Sequence, residues 1–223
     1  MPSSKTIILK TLIEHQKALS VCSRCPDMIP PVIVGNPANS AIMSVGQAPG
    51  IHEGKVQKPF GWTAGKTLFQ WFESIDVVEE KYREQVYMAA VCRCFPGKNP
   101  KGSGDRVPNQ QEIETCSYWL QQEYQIIQPK LIIPIGRLAI EQYLKFKVLT
   151  DVIGKQHTQQ LGDLNVDIIP LPHPSGLSTW YRKSPGKELL QEALQLIKHH
   201  SAWQEAFKEQ QKEFGYQLKA GHN

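Results

Sequence analysis

Ala41-Ile42-Met43-Ser44-Val45-Gly46, running directly into Gln47-Ala48-Pro49-Gly50, is a short apolar stretch that stops on a Gly/Pro-rich loop. A run of that length bounded by turn residues reads as a buried strand ending in a tight turn. Three further runs have the same character: Val86 to Val91, Leu131 to Ile135 and Val166 to Leu171. Helical patterns separate them. Residues 5–20 place Ile7, Ile8, Leu12, Ile13 and Leu19 on roughly one face, and Gly65 to Ile75 does the same with Leu68, Phe69, Trp71, Phe72 and Ile75. Asn109 is expected to cap a helix carrying Ile113, Cys116, Trp119 and Leu120. Gly136 turns the third strand into a helix, and residues 186–212 read as one more, at first amphipathic and then polar. Strands alternating with helices imply an α/β fold, a parallel sheet covered on both faces. Ligands of such sheets bind beyond the carboxyl ends of the strands. The loops at 46–50 and 172–178 both occupy such ends, so both are expected to border one cleft.

The chain of 223 residues suits a single cored domain, expected over 1–200, with a polar helix or tail over 201–223. A formal net charge of +4 permits a nucleic-acid partner without requiring one. No apolar run reaches the roughly 18 residues of a membrane span. At the N-terminus, Lys10, Glu14, His15 and Lys17 soon interrupt the apolar residues, unlike a signal peptide. A cytoplasmic location and no membrane partner are therefore expected, with cysteines kept reduced.

Five cysteines in that setting suggest a metal or reactive thiols before disulfides. Cys22-x-x-Cys25 offers two thiolates one short turn apart, and Cys116 with Cys94 or Cys92 offers a second pair. Four thiolates suit a structural zinc or a four-iron cluster equally well on spacing alone. Cys92, inside an apolar strand, reads as a core residue.

These segments together carry a family resemblance. Gly46-Gln47-Ala48-Pro49-Gly50 with Lys58-Pro59-Phe60 resembles the first motif of the iron–sulfur uracil-DNA glycosylases, the family 4 and family 5 types of bacteria and archaea. Tyr87 to Asn99 is similar to their strand and cysteine loop, with Cys94 in the ligand position, and Asn109 to Cys116 to their fourth-ligand helix. Leu131 to Ala139 resembles a further strand–turn block, and His173-Pro174-Ser175-Gly176-Leu177-Ser178 the second catalytic motif. In order, these blocks run from about residue 22 to 182.

The resemblance implies a three-layer αβα sandwich around a mostly parallel four-stranded sheet. It also implies a 4Fe-4S cluster on Cys22, Cys25, Cys94 and Cys116, with zinc the alternative. The implied activity is monofunctional base excision from DNA, by a protein expected to act as a monomer on DNA containing a damaged base. Such chemistry extrudes the base into a pocket and stabilises the anion left as the glycosidic bond breaks. Phe60 takes the place of the stacking aromatic, and His173 that of the donor to the base carbonyl. Gly46, Ala48, Pro49, Gly50, Ala90 and Ser175 would line the base. Ser175, Gly176, Leu177, Ser178, Arg182 and Arg106 would meet the DNA backbone, and Leu177, Trp180, Tyr181 and Arg182 are wedge candidates.

Two departures from the pattern matter. Ala90 stands where uracil-specific members carry a pyrimidine-reading Asn. Gln47 stands where one branch carries Glu, and an amide can orient water but not take its proton. Glu53 is the first choice to activate water, with His52 and Asp105 as the other nearby titratable groups. The alternative reading is a catalytically weak or inactive DNA-binding relative with a structural metal centre.

Overall fold

Every residue from Ile42 to Gly46 is buried, as expected of a strand covered on both faces. The computed structural model, which describes residues 4–38, 40–176 and 178–208, forms β1 there (Ile42–Gly46). β1 pairs in parallel with β2 (Tyr87–Ala90) on one side and β3 (Leu131–Pro134) on the other. β5 (Leu164–Ile168) adds in parallel to β3, and an isolated bridge from Ile135 to Leu171 prolongs that pairing. The sheet has a fifth strand beyond the four expected: β4 (His157–Leu161), antiparallel to β5 at the edge, giving the order β2-β1-β3-β5-β4. Its sequence, His-Thr-Gln-Gln-Leu, holds too little apolar periodicity to register as a strand, because an edge hairpin faces solvent.

The crossovers assign the layers. From β1 the chain moves to β2 through α2 (Ile51–Val56), α3 (Thr63–Glu73) and α4 (Glu79–Gln85). It then returns past β1 to β3 through α5 (Gln110–Ile127), and reaches β5 after α6 (Arg137–Glu141). Right-handed crossovers taken in opposite directions put their helices on opposite faces. Side-chain contacts agree with this. α1 (Ser4–Ser20) meets α5 through His15 and Trp119, whose rings lie 5.5 Å apart. α6 is followed by Tyr143, which hydrogen-bonds Tyr124 of α5. On the other face, Trp203 of α8 (Ser201–Ala206) packs on Phe72 and Tyr82 of α3 and α4. Lys198 of α7 (Gly186–His199) pairs with Asp76 at 2.7 Å.

Two boundaries differ from expectation. The helix expected over 186–212 is broken at His200, whose Nδ1 accepts from the Ala202 amide and caps α8. The expected polar tail starts inside the core: Trp203 is fully buried and Phe207 nearly so. A single tryptophan among polar residues carries no period, so the tail's composition hid its anchor. The α5 cap is as expected, with Asn109 Oδ1 accepting the Glu112 amide at 2.9 Å and Glu112 accepting the Asn109 amide at 2.7 Å.

Candidate functional site

β1 and β3 are ladder neighbours whose following loops leave toward opposite faces, so a crevice opens beyond their carboxyl ends. β1 ends on Gly46, Gly136 follows the end of β3 by two residues, and each glycine carries a ring. A methyl group on Gly46 would lie 3.1 Å from Phe60 Cζ, so the Phe60 ring rests directly on the end of β1. A methyl on Gly136 would lie 2.9 Å from His173 Cδ2, and Gly136 has a φ of +88° besides. His173 thus sits over the end of β3, and neighbouring strands are only about 4.8 Å apart. Both rings line one cavity of about 520 Å³.

Of the residues singled out above, Gly46, Gln47, Ala48, Pro49, Gly50, Glu53, Phe60, Ala90, His173 and Ser175 all line that cavity. The Gln47 backbone is fixed there, because its carbonyl accepts from the Cys92 amide at 3.0 Å. Ala90 is the last residue of β2 and is only partly covered.

Phe60 adopts a φ of +51°, a left-handed conformation that a bulky residue takes only when held there. Two side chains hold it. Arg83, 6% exposed, donates Nη1 to the Pro59 carbonyl at 2.9 Å and Nη2 to the Phe60 carbonyl at 3.2 Å. Glu53 accepts from the Gly50 amide at 2.6 Å, with the Phe60 and Gly61 amides also directed at it. Burial raises the Glu53 pKa, and those amides pull it back. The Glu53 carboxylate therefore ties the Gly50 turn to the Phe60 turn.

His173 accepts from the Ser175 amide at Nδ1 over 3.2 Å. A neutral imidazole with Nδ1 accepting carries its proton on Nε2, which makes Nε2–H a donor. Burial depresses the His173 pKa, keeping the ring neutral at pH 7.

Trp62 and Val107, not singled out from the sequence, also line the cavity, as does Asp105. Trp62 is 49% exposed and stacks on His52, with ring centroids 4.6 Å apart and planes 24° from parallel. Val107, also exposed, stands at the rim. Asp105 reaches in from the 95–108 loop, which closes on itself through the Lys98–Asp105 pair at 2.8 Å. A methyl on Gly50 would lie 3.3 Å from Asp105 Oδ2 and 3.5 Å from Glu53 Oε2, so two carboxylates flank one point of the cavity. Trp62 could have been found, since it follows Phe60 by two residues in the same turn.

The expected DNA-contacting residues separate. Gly176 and Arg182 are exposed and Ser178 is partly so, while Leu177 lies outside the described residues. Tyr181 is not available as a wedge, being buried edge-on against Trp71. Trp180 packs on Gly186, where a methyl would sit 2.8 Å from its ring. Arg106 makes a two-pronged pair with Glu112 (2.7 and 2.5 Å) and donates to the Asp27 carbonyl, strapping the cysteine turn to α5.

Cys22, Cys25, Cys94 and Cys116 line a second cavity of about 240 Å³. The segment after Cys25 is held there by Ile29 pairing with Phe95 and by the Ile33 amide on the Arg93 carbonyl. The thiols sense one another: burial and then Cys116, Cys22 and Cys25 push Cys94 up to about 11. Cys116 is shifted the other way, first by the Cys92 thiol donating to it and then by Arg93. Cys92 itself is fully buried. Among the described residues no three thiol, imidazole or carboxylate groups converge as a single-ion site. Tetrahedral zinc wants its sulfurs about 2.3 Å from one point. Four thiols lining one cavity are a donor set that fits a thiolate-bound centre. Arg93 gives a second sign of fit: buried against this cavity, its Nε and Nη1 have no hydrogen-bond partner among the described residues.

The sequence profile of the uracil DNA glycosylase superfamily matches residues 32–198, three quarters of the chain and both motif loops. The chain belongs to that superfamily. Among similar proteins is a Type-4 uracil-DNA glycosylase of Sulfurisphaera tokodaii, 34% identical over 139 residues, 60% of this chain and 59% of that protein. A Type-4 uracil-DNA glycosylase of Thermotoga maritima is 31% identical over 161 residues, covering 70% of this chain and 77% of its own. A Type-5 uracil-DNA glycosylase of Pyrobaculum aerophilum is 25% identical over 187 residues, 70% of this chain and 79% of the relative. The chain thus spans less than two thirds of the first of these relatives. As a glycosylase-superfamily fold, it is α/β with a mostly parallel central sheet. No helix among the described residues is long and apolar enough to cross a membrane.

Proposed function

We propose that the protein is a monofunctional DNA N-glycosylase, acting in the cytoplasm on uracil and related deaminated bases in DNA. One observation carries this reading: Phe60 and His173 stand on neighbouring strand ends and face one base-sized cavity. A base turned out of the stack lies on the Phe60 ring. His173 donates Nε2–H to a carbonyl oxygen of that base. As the C1′–N bond breaks, its electron pair goes to the departing base, and the donor stabilises the oxygen where that charge collects. Water adds to C1′ of the cationic sugar.

Gln47 orients that water, and a carboxylate takes its proton. We assign the proton to Asp105. Glu53 is engaged by backbone amides, while Asp105 keeps Oδ2 toward the cavity and is held by Lys98 through Oδ1. Glu53 then acts as a positioning residue for Gly50 and Phe60. Ala90 leaves the pyrimidine edge unread, which suits a range of deaminated bases. The exposed Trp62–His52 stack and Val107 offer the bases beside the target an apolar rim. Gly176, Ser178 and Arg182 would meet the DNA backbone. Four thiolates from Cys22, Cys25, Cys94 and Cys116 hold a 4Fe-4S cluster, which when bound ties the end of α1, the exit of β2 and α5 together.

The test is base release from single- and double-stranded oligonucleotides bearing one uracil, hypoxanthine or a normal base. Release of uracil with an abasic product supports the reading, whereas salt-dependent binding without product would make the protein a DNA-binding relative. Asp105→Asn should lower kcat about 10²- to 10⁴-fold with KM little changed, the usual size of a general-base effect. Glu53→Gln should instead lower thermal stability as well as rate. The reverse pattern would return the proton to Glu53.

A further inference from the structure

Arg93 lies between two cysteines on the exit of β2 and is 2% exposed. One of its nitrogens, Nη2, donates to Glu123 Oε2. Glu123, fully buried, is held in turn by the Tyr87 hydroxyl at 2.6 Å and by His15 Nε2 at 3.4 Å. This arrangement neutralises the guanidinium but uses only one edge of it. Nε and Nη1 are left buried with no partner among the described residues. Buried donors without acceptors are rare because each loses its water and gains nothing in return.

The same side chain lines the cavity formed by the four thiols. From elsewhere on its wall, Trp119 Nε1 already donates to Cys22 Sγ at 3.3 Å. We infer that Arg93 donates its Nε–H and Nη1–H to sulfur atoms of the cluster held by Cys22, Cys25, Cys94 and Cys116, and that it sets the cluster's reduction potential. The inference rests on the proposed cofactor. Thiolate and sulfide sulfurs accept hydrogen bonds and carry the cluster's negative charge. Each N–H···S bond stabilises the electron-richer state more than the electron-poorer one, which raises the potential. Glu123 acts behind Arg93 as an aiming residue.

The direct test uses the full chain, purified without oxygen and labelled with ¹⁵N only in the guanidinium groups of arginine, because the Arg93 backbone amide itself bonds Cys116. With the cluster made paramagnetic by one-electron reduction or oxidation, pulsed electron–nuclear spectroscopy should show a coupled ¹⁵N nucleus. Arg24→Lys, which alters the other arginine of the cavity, should leave that coupling in place, and Arg93→Lys should abolish it. Arg93→Lys keeps the charge beside Glu123 but cannot present the same two donors. At a fixed potential its reduced-to-oxidised ratio should fall about tenfold, a shift of about 59 mV for one electron. Equal amounts of iron and sulfide with no ¹⁵N coupling in the wild-type protein would overturn the role of Arg93 and leave the cluster standing. Protein carrying zinc, or neither iron nor sulfide, would overturn both. The wild-type measurement stands even if Arg93→Lys fails to fold.

Discussion

Replacing His173 with alanine should reduce the rate of base release about 10²- to 10³-fold while changing KM little, the scale found when one donor to a developing anion is removed. The expectation follows from tautomer and place together. The Ser175 amide occupies Nδ1, burial keeps the ring neutral, and the proton therefore rests on Nε2. A donor that strengthens only as the base gains charge acts on kcat rather than on binding. The same geometry sets a pH dependence. Burial depresses the folded pKa of His173 below the unfolded value of about 6.5. Protonation would place a hydrogen on Nδ1 against the Ser175 amide. Both kcat/KM and the stability contributed by this site should hold above pH 6.5 and decline as pH falls below it, toward the folded pKa. Steady-state kinetics across pH 5 to 9 check this. A limb of the profile centred above 6.5 that vanishes in His173→Ala would mean the charged imidazole is the active form.

Gly65→Ala should be nearly as damaging, although Gly65 has no side chain that could act on the base. A methyl there would sit 1.7 Å from the Phe60 carbonyl oxygen, a backbone atom that cannot swing aside. The turn carrying Phe60 must shift, breaking the Arg83 contacts to the Pro59 and Phe60 carbonyls that hold a φ of +51°. Moving the stacking ring by about 1 Å should lower kcat roughly 10²-fold. Overpacking should remove about 1–3 kcal/mol of stability. Denaturant unfolding and single-turnover release measure the two effects on one preparation. Unchanged release in a Gly65→Ala protein would mean that Phe60 is not the floor of the site.

The parts of this molecule legible from its sequence are those where one residue type admits one physical use. Apolar runs closed by Gly and Pro read as the core strands, because a parallel sheet buries both faces. Cys22 and Cys25, with Cys94 and Cys116 far along the chain, read as a single group, and they do line one cavity. What stayed hidden depends on partners distant in sequence. β4 is polar because it is an edge, so nothing in His157 to Leu161 marks it as a strand. Trp203 looked like part of a solvated tail until Phe72 and Tyr82 supplied its neighbours. Arg106 looked free to bind phosphate, yet Glu112 lies six residues on and one turn into α5, where it takes the guanidinium. Glu53 and Asp105 are equally acidic as letters. Only the backbone amides around one of them separate their roles.

Base excision by this protein turns on a single placement: an extruded base seated on Phe60 beneath the Nε2–H of His173. The structure of the protein bound to a single-stranded oligonucleotide carrying 2′-fluoro-deoxyuridine, which slows cleavage by destabilising the cationic sugar, reports it directly. The uracil ring should lie in the 520 Å³ cavity against the Phe60 ring, one carbonyl oxygen within hydrogen-bond reach of His173 Nε2 and the Asp105 carboxylate on the water side of C1′. A uracil left stacked in the strand, or seated away from Phe60 with His173 making no contact, would contradict it.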